Sequence, residues 1–120
     1  MNAKFFVPYE TAKALKAAGY PQNDSDYVYY NGELLPRLMS TNEAGFIASP
    51  TYHEAVDWLE GKGVLIDCTC GYDYDTKKEW YRCFVIQRER RLEDKYISKV
   101  APTREEALNA AILAALEGLQ

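Results

Sequence analysis

The chain has 120 residues, of which 48% are hydrophobic and 27% charged, and its formal net charge is −4. This length allows one domain that buries a core without metal or disulfide bonds, and the composition excludes wholesale disorder and collagen-like sequence. No apolar run reaches the ~20 residues of a membrane helix, and the N-terminus lacks the apolar core of a signal peptide. We therefore expect a small, acidic, cytoplasmic protein that forms a single domain over residues 1–120.

Residues 1–48 predict a helix followed by a β-hairpin. Pro8 suits the first turn of a helix, and the run after it carries a narrow stripe of small apolar residues. Asn31-Gly32 separates two strand-like runs and favours a tight turn in which both residues have positive φ. Residues 37–48 have no clean period, which indicates a loop with a short strand near 46–47.

Two similar segments predict the starts of two further helices. In each, Pro-Thr is followed by a glutamate three residues after the threonine, as Thr51 with Glu54 and Thr103 with Glu106. This is the capping-box pattern, in which the two side chains bond amide groups that the first helical turn leaves without a partner.

Three strands are expected between these helices. Their expected bounds are Val64–Cys70, Trp80–Arg88 and Lys95–Val100, with charged loops at Gly71–Glu79 and Glu89–Asp94. The second is apolar on both faces, so we expect it to be central and at least partly covered on both faces. The predicted fold class is α+β: a three-stranded antiparallel sheet flanked by helices (αβββα, residues 51–117, within a unit over 49–120), with an added N-terminal helix and hairpin.

Several of these segments resemble small, uncharacterised proteins of phages, prophages and other mobile elements of gut bacteria. The segments that carry the resemblance are Phe6-Val7-Pro8-Tyr9-Glu10, Ser49-Pro50-Thr51-Tyr52, Val56-Asp57-Trp58-Leu59 and Pro102-Thr103 with Glu106-Ala107-Leu108. The C-terminal part is similar in element order to phage helix–sheet–helix sandwich domains. The resemblance implies an origin and a rough fold, and it implies no activity or site residue.

The cysteine count indicates reduced thiols. Cys68, Cys70 and Cys83 are odd in number, and a chain without an export signal is expected to keep them reduced. With His53 they form a ligand set that zinc accepts. The Cys-Thr-Cys spacing, however, continues a strand pattern, so we favour small buried side chains on a strand and no metal. His53 is expected at the surface of a helix.

No pattern of catalytic residues is assembled. The sequence has no HExxH, P-loop or GxGxxG motif, and with a single histidine any Cys–His pair must use His53. The pair Asp73 and Asp75 is read as part of an exposed turn. We therefore expect no enzyme activity and no cofactor.

Tyrosine is the unusual residue, with 10 Tyr against 4 Phe. Tyrosine combines an apolar ring with a polar tip and is enriched in recognition surfaces. The leading prediction is therefore a non-catalytic accessory protein that binds a protein partner. The tyrosines expected to be exposed for this purpose are Tyr27, Tyr29, Tyr30, Tyr72 and Tyr74.

The alternative partner is nucleic acid. Residues 77–99 contain eight basic and four acidic side chains, so this segment is basic within an acidic chain. The candidate contacts are Lys77, Lys78, Arg82, Arg88, Arg90 and Arg91, with Trp80 or Tyr81 nearby for stacking. The element order is also that of double-stranded RNA-binding domains, but the two carboxylates at Glu105 and Glu106 would repel phosphate at the helix start.

Overall fold

The computed structural model describes residues 3–23, 25–37, 45–87, 96–97 and 100–118. Its helices are α1 (Tyr9–Ala17), α2 (Tyr52–Gly61) and α3 (Arg104–Gly118), preceded by a 3₁₀ turn at Ala3–Phe5. Its strands are β1 (Tyr27–Tyr30), β2 (Glu33–Pro36), β3 (Ile47–Ala48), β4 (Val64–Asp73), β5 (Lys78–Gln87) and β6 (Tyr96–Ile97). They form two antiparallel sheets, in the orders β2-β1-β3 and β4-β5-β6. The predicted α+β class is confirmed.

The turn and cap signals act as expected. Asn31 and Gly32 have φ of 52° and 80°, the combination that a two-residue hairpin turn requires. At α2, the Thr51 hydroxyl accepts the Glu54 amide at 3.1 Å and the Glu54 carboxylate accepts the Thr51 amide at 2.9 Å. The Thr103 hydroxyl accepts the Glu106 amide at 3.2 Å in the same way. Both helices therefore begin where the sequence predicts.

The β4–β5 hairpin is longer than predicted. The stretch expected as a loop, 71–79, is mostly strand, and only Tyr74–Lys77 forms the turn. The Asp73 carboxylate accepts the amides of Asp75 and Thr76, and Lys77 takes a positive φ of 57° to close the turn. Of the strand expected at Lys95–Val100, residues 96–97 pair with β5 and Val100 is not in a strand; the other positions lie outside the described residues. The expected loop at 89–94 lies outside the described residues.

The central position of β5 is confirmed, and so is the expectation that both of its faces are at least partly covered. The face of Cys83 and Val85 is buried against α3, with relative exposures of 0% and 5%. On the other face, Trp80, Phe84 and Ile86 are half-buried.

One hydrophobic core joins the N-terminal segment to the αβββα unit. It contains Leu15 of α1, Tyr29 of β1, Leu59 of α2 and Ile112 of α3. The Thr11 hydroxyl donates to the Asn109 side-chain oxygen at 2.5 Å, which ties α1 to α3. The described part of the first fifty residues therefore packs against the helices that cover the second sheet, and the far end of the β4–β5 hairpin is exposed.

Candidate interaction surface

The end of the β4–β5 hairpin extends past the helix that covers its base. At one end of α3, the Arg104 guanidinium lies 5.6 Å from the centre of the Tyr81 ring. At the other end, a Cβ on Gly118 would lie 2.4 Å from Gln87. The helix therefore runs beside residues 81–87. The remaining segment 71–80, here named the hairpin tip, is exposed from residue 72 to 79.

Two tyrosines stand together on the hairpin tip. Tyr72 and Tyr74 are 47% and 84% exposed, and their rings meet edge to face with centroids 5.1 Å apart. Tyr72 is held by the strand pairing of β4 with β5, while Tyr74 occupies the first position of the turn. The pair presents a large aromatic surface on a hydrogen-bonded support. The sequence predicted the exposure of both residues but placed them in a loop.

The three tyrosines of β1 do not form a second exposed cluster. The prediction for Tyr29 is wrong: it is 9% exposed in the core, and its hydroxyl donates to the Val7 carbonyl at 2.8 Å. Tyr27 is half-buried, with its ring 4.9 Å from that of Phe6. Tyr30 is 40% exposed and stacks on Phe46. These rings join β1 to the N-terminal segment, since Tyr27 meets Phe6 and Tyr29 meets Tyr9 of α1.

Trp80 covers the opposite face of the hairpin tip. It lies across Gly71, where an added Cβ would come within 2.3 Å of the indole. A glycine directly opposite a tryptophan in a strand pair is a signal for such a close approach. This contact is not apparent from the sequence when 71–79 is interpreted as a loop.

The basic candidates are divided among different places. Lys77 is in the turn and Lys78 opposes Asp73. Arg82 lies on the Trp80 face, with its guanidinium 5.9 Å from that ring, and its Nε is buried without an acceptor among the described residues. The remaining candidates, Arg88, Arg90 and Arg91, lie outside the described residues.

The cysteine prediction is corrected by the structure. Cys68 and Cys83 oppose each other in the strand register, with Cα atoms 4.2 Å apart, and are joined by a disulfide. Cys70 is a free, exposed cysteine rather than a buried one. Two of the three sulfurs are therefore not thiolates available to a metal, and the described residues contain no cluster of three metal-ligating side chains. His53 is at the surface as expected, 3.3 Å from Asp57.

A cleft that sequence reasoning did not find lies where α2 and α3 begin. Its volume is about 580 Å³, within the range of small-molecule sites. Tyr52, Val56 and Leu108 contribute to its walls, and burial raises the pKa of Tyr52 to about 12. The rim combines Arg104 with Glu105, so its charge favours neither an anion nor a cation.

Comparison of the chain with models of known protein families, with curated proteins and with solved structures finds no match. Among the described helices, none is both long and apolar enough to cross a membrane.

Proposed function

We propose that this protein is a non-catalytic binding protein whose hairpin tip contacts a protein partner. The observation that carries the proposal is the exposed pair Tyr72 and Tyr74 on a strand-supported projection. A tyrosine ring buries about 150–250 Å² in an interface and loses little side-chain entropy. Two adjacent rings therefore offer the kind of aromatic anchor around which binding energy concentrates.

The arrangement of the polar side chains supports a role without catalysis. The histidine lies on the exposed surface of α2, and its nearest charged partner is a carboxylate of the same helix, Asp57. Cys68 and Cys83 are joined to each other, and Cys70 is two residues further along β4. A nucleophile, a base and an orienting group, which covalent catalysis needs within hydrogen-bond reach, are not brought together among these residues.

The tip is tested by replacing both rings. The double variant Tyr72→Ser with Tyr74→Ser should reduce recovery of the partner in a pull-down by at least about tenfold, the effect of ~1.4 kcal/mol. The matched control is Tyr30→Ser, which removes an exposed ring from the other sheet. Equal recovery by the double variant and the wild-type protein would contradict the proposal.

We also propose that the protein acts in the cytoplasm as an accessory protein of a phage or mobile element. The support is the sequence resemblance described above. Cell fractionation tests the compartment: a tagged copy expressed in the host should be recovered with the cytoplasmic proteins. Recovery from the periplasm or the medium would contradict this compartment.

Nucleic acid is the second candidate partner, favoured by one observation. Arg82, Trp80 and the half-buried Phe84 share one face of the second sheet, and Arg82 Nε has no acceptor among the described residues. Aromatic rings beside a guanidinium bind single strands by stacking and charge. This candidate predicts binding to a labelled single-stranded oligonucleotide that weakens steeply with salt and weakens further in Arg82→Gln. Binding that is absent or insensitive to salt excludes it.

A further inference from the structure

The edge of the second sheet that β4 forms, beside the hairpin tip, has no strand partner among the described residues. In the order β4-β5-β6, β4 is an edge strand over all of its ten residues. The backbone hydrogen bonds between described residues outside helices and strand ladders include none from β4. Its outer row of amides and carbonyls is therefore available to another chain.

The pairing on the other side of β5 shows which residues form this row. Tyr81 exchanges two 2.9 Å backbone hydrogen bonds with Ala101, so its amide and carbonyl point away from β4. Cys70 opposes Tyr81, so Cys70 is in a pair without hydrogen bonds and its own backbone groups point outward. The 4.2 Å Cα separation of Cys68 and Cys83 fits the same kind of pair. Because hydrogen-bonded and non-hydrogen-bonded pairs alternate along the ladder, the outward amides and carbonyls of β4 belong to Ile66, Cys68, Cys70 and Tyr72.

The charge of the edge indicates the chemistry of its occupant. β4 carries Asp67 and Asp73 and no basic residue. Both aspartates lie on the Trp80 face and are six residues apart. If a strand were added at this edge, each aspartate would oppose one of its residues in a non-hydrogen-bonded pair, where side chains are closest. Lys78 of β5 opposes Asp73 on this face, whereas Asp67 opposes the apolar Phe84. Lysine or arginine of an added strand would pair with Asp67 and share Asp73 with Lys78, whereas a second copy of the chain would bring two more carboxylates to this edge.

We infer that the free edge of β4 accepts an extended, basic segment of the partner protein as an added strand. This inference rests on the proposed function and specifies the partner: a stretch with alternating side chains and two basic residues six positions apart. Main-chain hydrogen bonds to Ile66, Cys68, Cys70 and Tyr72 hold the added strand. The ring of Tyr72 then lies beside the added strand, and Tyr74 contacts the partner beyond the end of that strand.

The test uses a capped peptide, Lys-Thr-Val-Thr-Val-Thr-Lys, and the same peptide with both lysines replaced by glutamate. Adding the lysine peptide should slow amide hydrogen exchange at Cys68, Cys70 and Tyr72 in the wild-type protein. The glutamate peptide should bind about tenfold more weakly, because two cross-strand ion pairs become repulsive. Unchanged exchange at these amides with millimolar lysine peptide, or equal binding of both peptides, overturns the inference.

A pair of substitutions at one position isolates the backbone contribution. Cys70→Pro removes one outward amide and leaves the β4–β5 ladder intact, since proline is tolerated on an edge strand; Cys70→Ala removes only the thiol. We expect at least tenfold weaker peptide binding for Cys70→Pro and unchanged binding for Cys70→Ala. If Cys70→Pro does not fold, the exchange measurement on the wild-type protein still decides.

The two proposals fail in different ways. If the Tyr72→Ser and Tyr74→Ser double variant loses the natural partner while Cys70→Pro keeps it, the proposed function stands and the strand-addition inference is overturned. If the tyrosine variant keeps the partner, the proposed function itself is wrong. Sedimentation of the free protein as a dimer that Cys70→Pro dissociates would show that the edge instead binds a second copy.

Discussion

Tyr29 and Tyr30 are neighbours in the chain and have opposite environments. Tyr29 lies in the core with its hydroxyl bonded to the Val7 carbonyl, whereas Tyr30 is 40% exposed. The alternation of side chains along β1 does not separate buried from exposed tyrosines, because Val28 and Tyr29 point to opposite faces and both are buried. The exposure of a tyrosine on this strand thus depends on what packs on each face, which the residue pattern alone does not contain.

Replacing Tyr29 with phenylalanine should lower the free energy of unfolding by about 1–2 kcal/mol, since the buried Val7 carbonyl loses its donor. Urea unfolding measures this change. The matched control, Tyr30→Phe, should shift it by less than ~0.5 kcal/mol because its hydroxyl is at the surface. A Tyr29→Phe variant as stable as the wild-type protein would contradict the assigned hydrogen bond.

The buried hydroxyl of Tyr52 predicts a loss of stability at high pH. Burial, with a smaller contribution from Glu105, raises the pKa of Tyr52 from 10.0 to about 12. Between these values the folded protein holds a proton that the unfolded chain releases, so the free energy of unfolding falls as pH rises from 10 toward 12.

Denaturant unfolding at several pH values measures this slope. Tyr52→Phe should make the slope shallower without removing it, because burial also raises the pKa of Tyr29 and the Glu79 hydrogen bond raises that of Tyr81. An identical slope in Tyr52→Phe and the wild-type protein would show that Tyr52 is not the group responsible.

At the level of elements, local signals were sufficient for turns and helix starts and insufficient for strand register. The Thr51–Glu54 capping box and the Asn31-Gly32 turn are formed by residues within three positions of one another, so the sequence predicts them directly. The Cys68–Cys83 pairing depends on where the β4–β5 turn closes. A one-residue change in register would move every side chain to the other face. The disulfide and the length of the hairpin therefore could not be read from the chain.

Reduction of the Cys68–Cys83 disulfide should lower the free energy of unfolding by about 3 kcal/mol, the loop-closure effect for a separation of 15 residues. Urea unfolding with and without a reductant measures this difference. Cys70→Ser should respond to the reductant as the wild-type protein does, since Cys70 is free. Cys68→Ser with Cys83→Ser should not respond. A wild-type protein whose stability is independent of the reductant would contradict the cross-link.

At the scale of the whole molecule, the helices and the base of the second sheet share one hydrophobic core, and the hairpin tip is exposed. α1 and α3 are joined through Thr11 and Asn109, and the N-terminal segment packs where α2 and α3 bury the base of the second sheet. The hairpin tip is outside this core. The sequence predicted the elements and the exposure of three of the five candidate tyrosines, Tyr30, Tyr72 and Tyr74. The placement of Tyr72 and Tyr74 on a projection depends on α3 beginning beside Tyr81, a long-range contact that no local pattern specifies.

Site-specific photocrosslinking tests the central claim, partner binding through the hairpin tip, most directly. A photoreactive amino acid in place of Tyr74 should form a crosslinked protein adduct in nuclease-treated lysate of the native host. The same group in place of Leu113, which is 36% exposed on α3, should not form it. Partner binding through the hairpin tip predicts an adduct that is specific to position 74. Equal crosslinking at both positions, or an adduct at position 74 that nuclease removes, would contradict it.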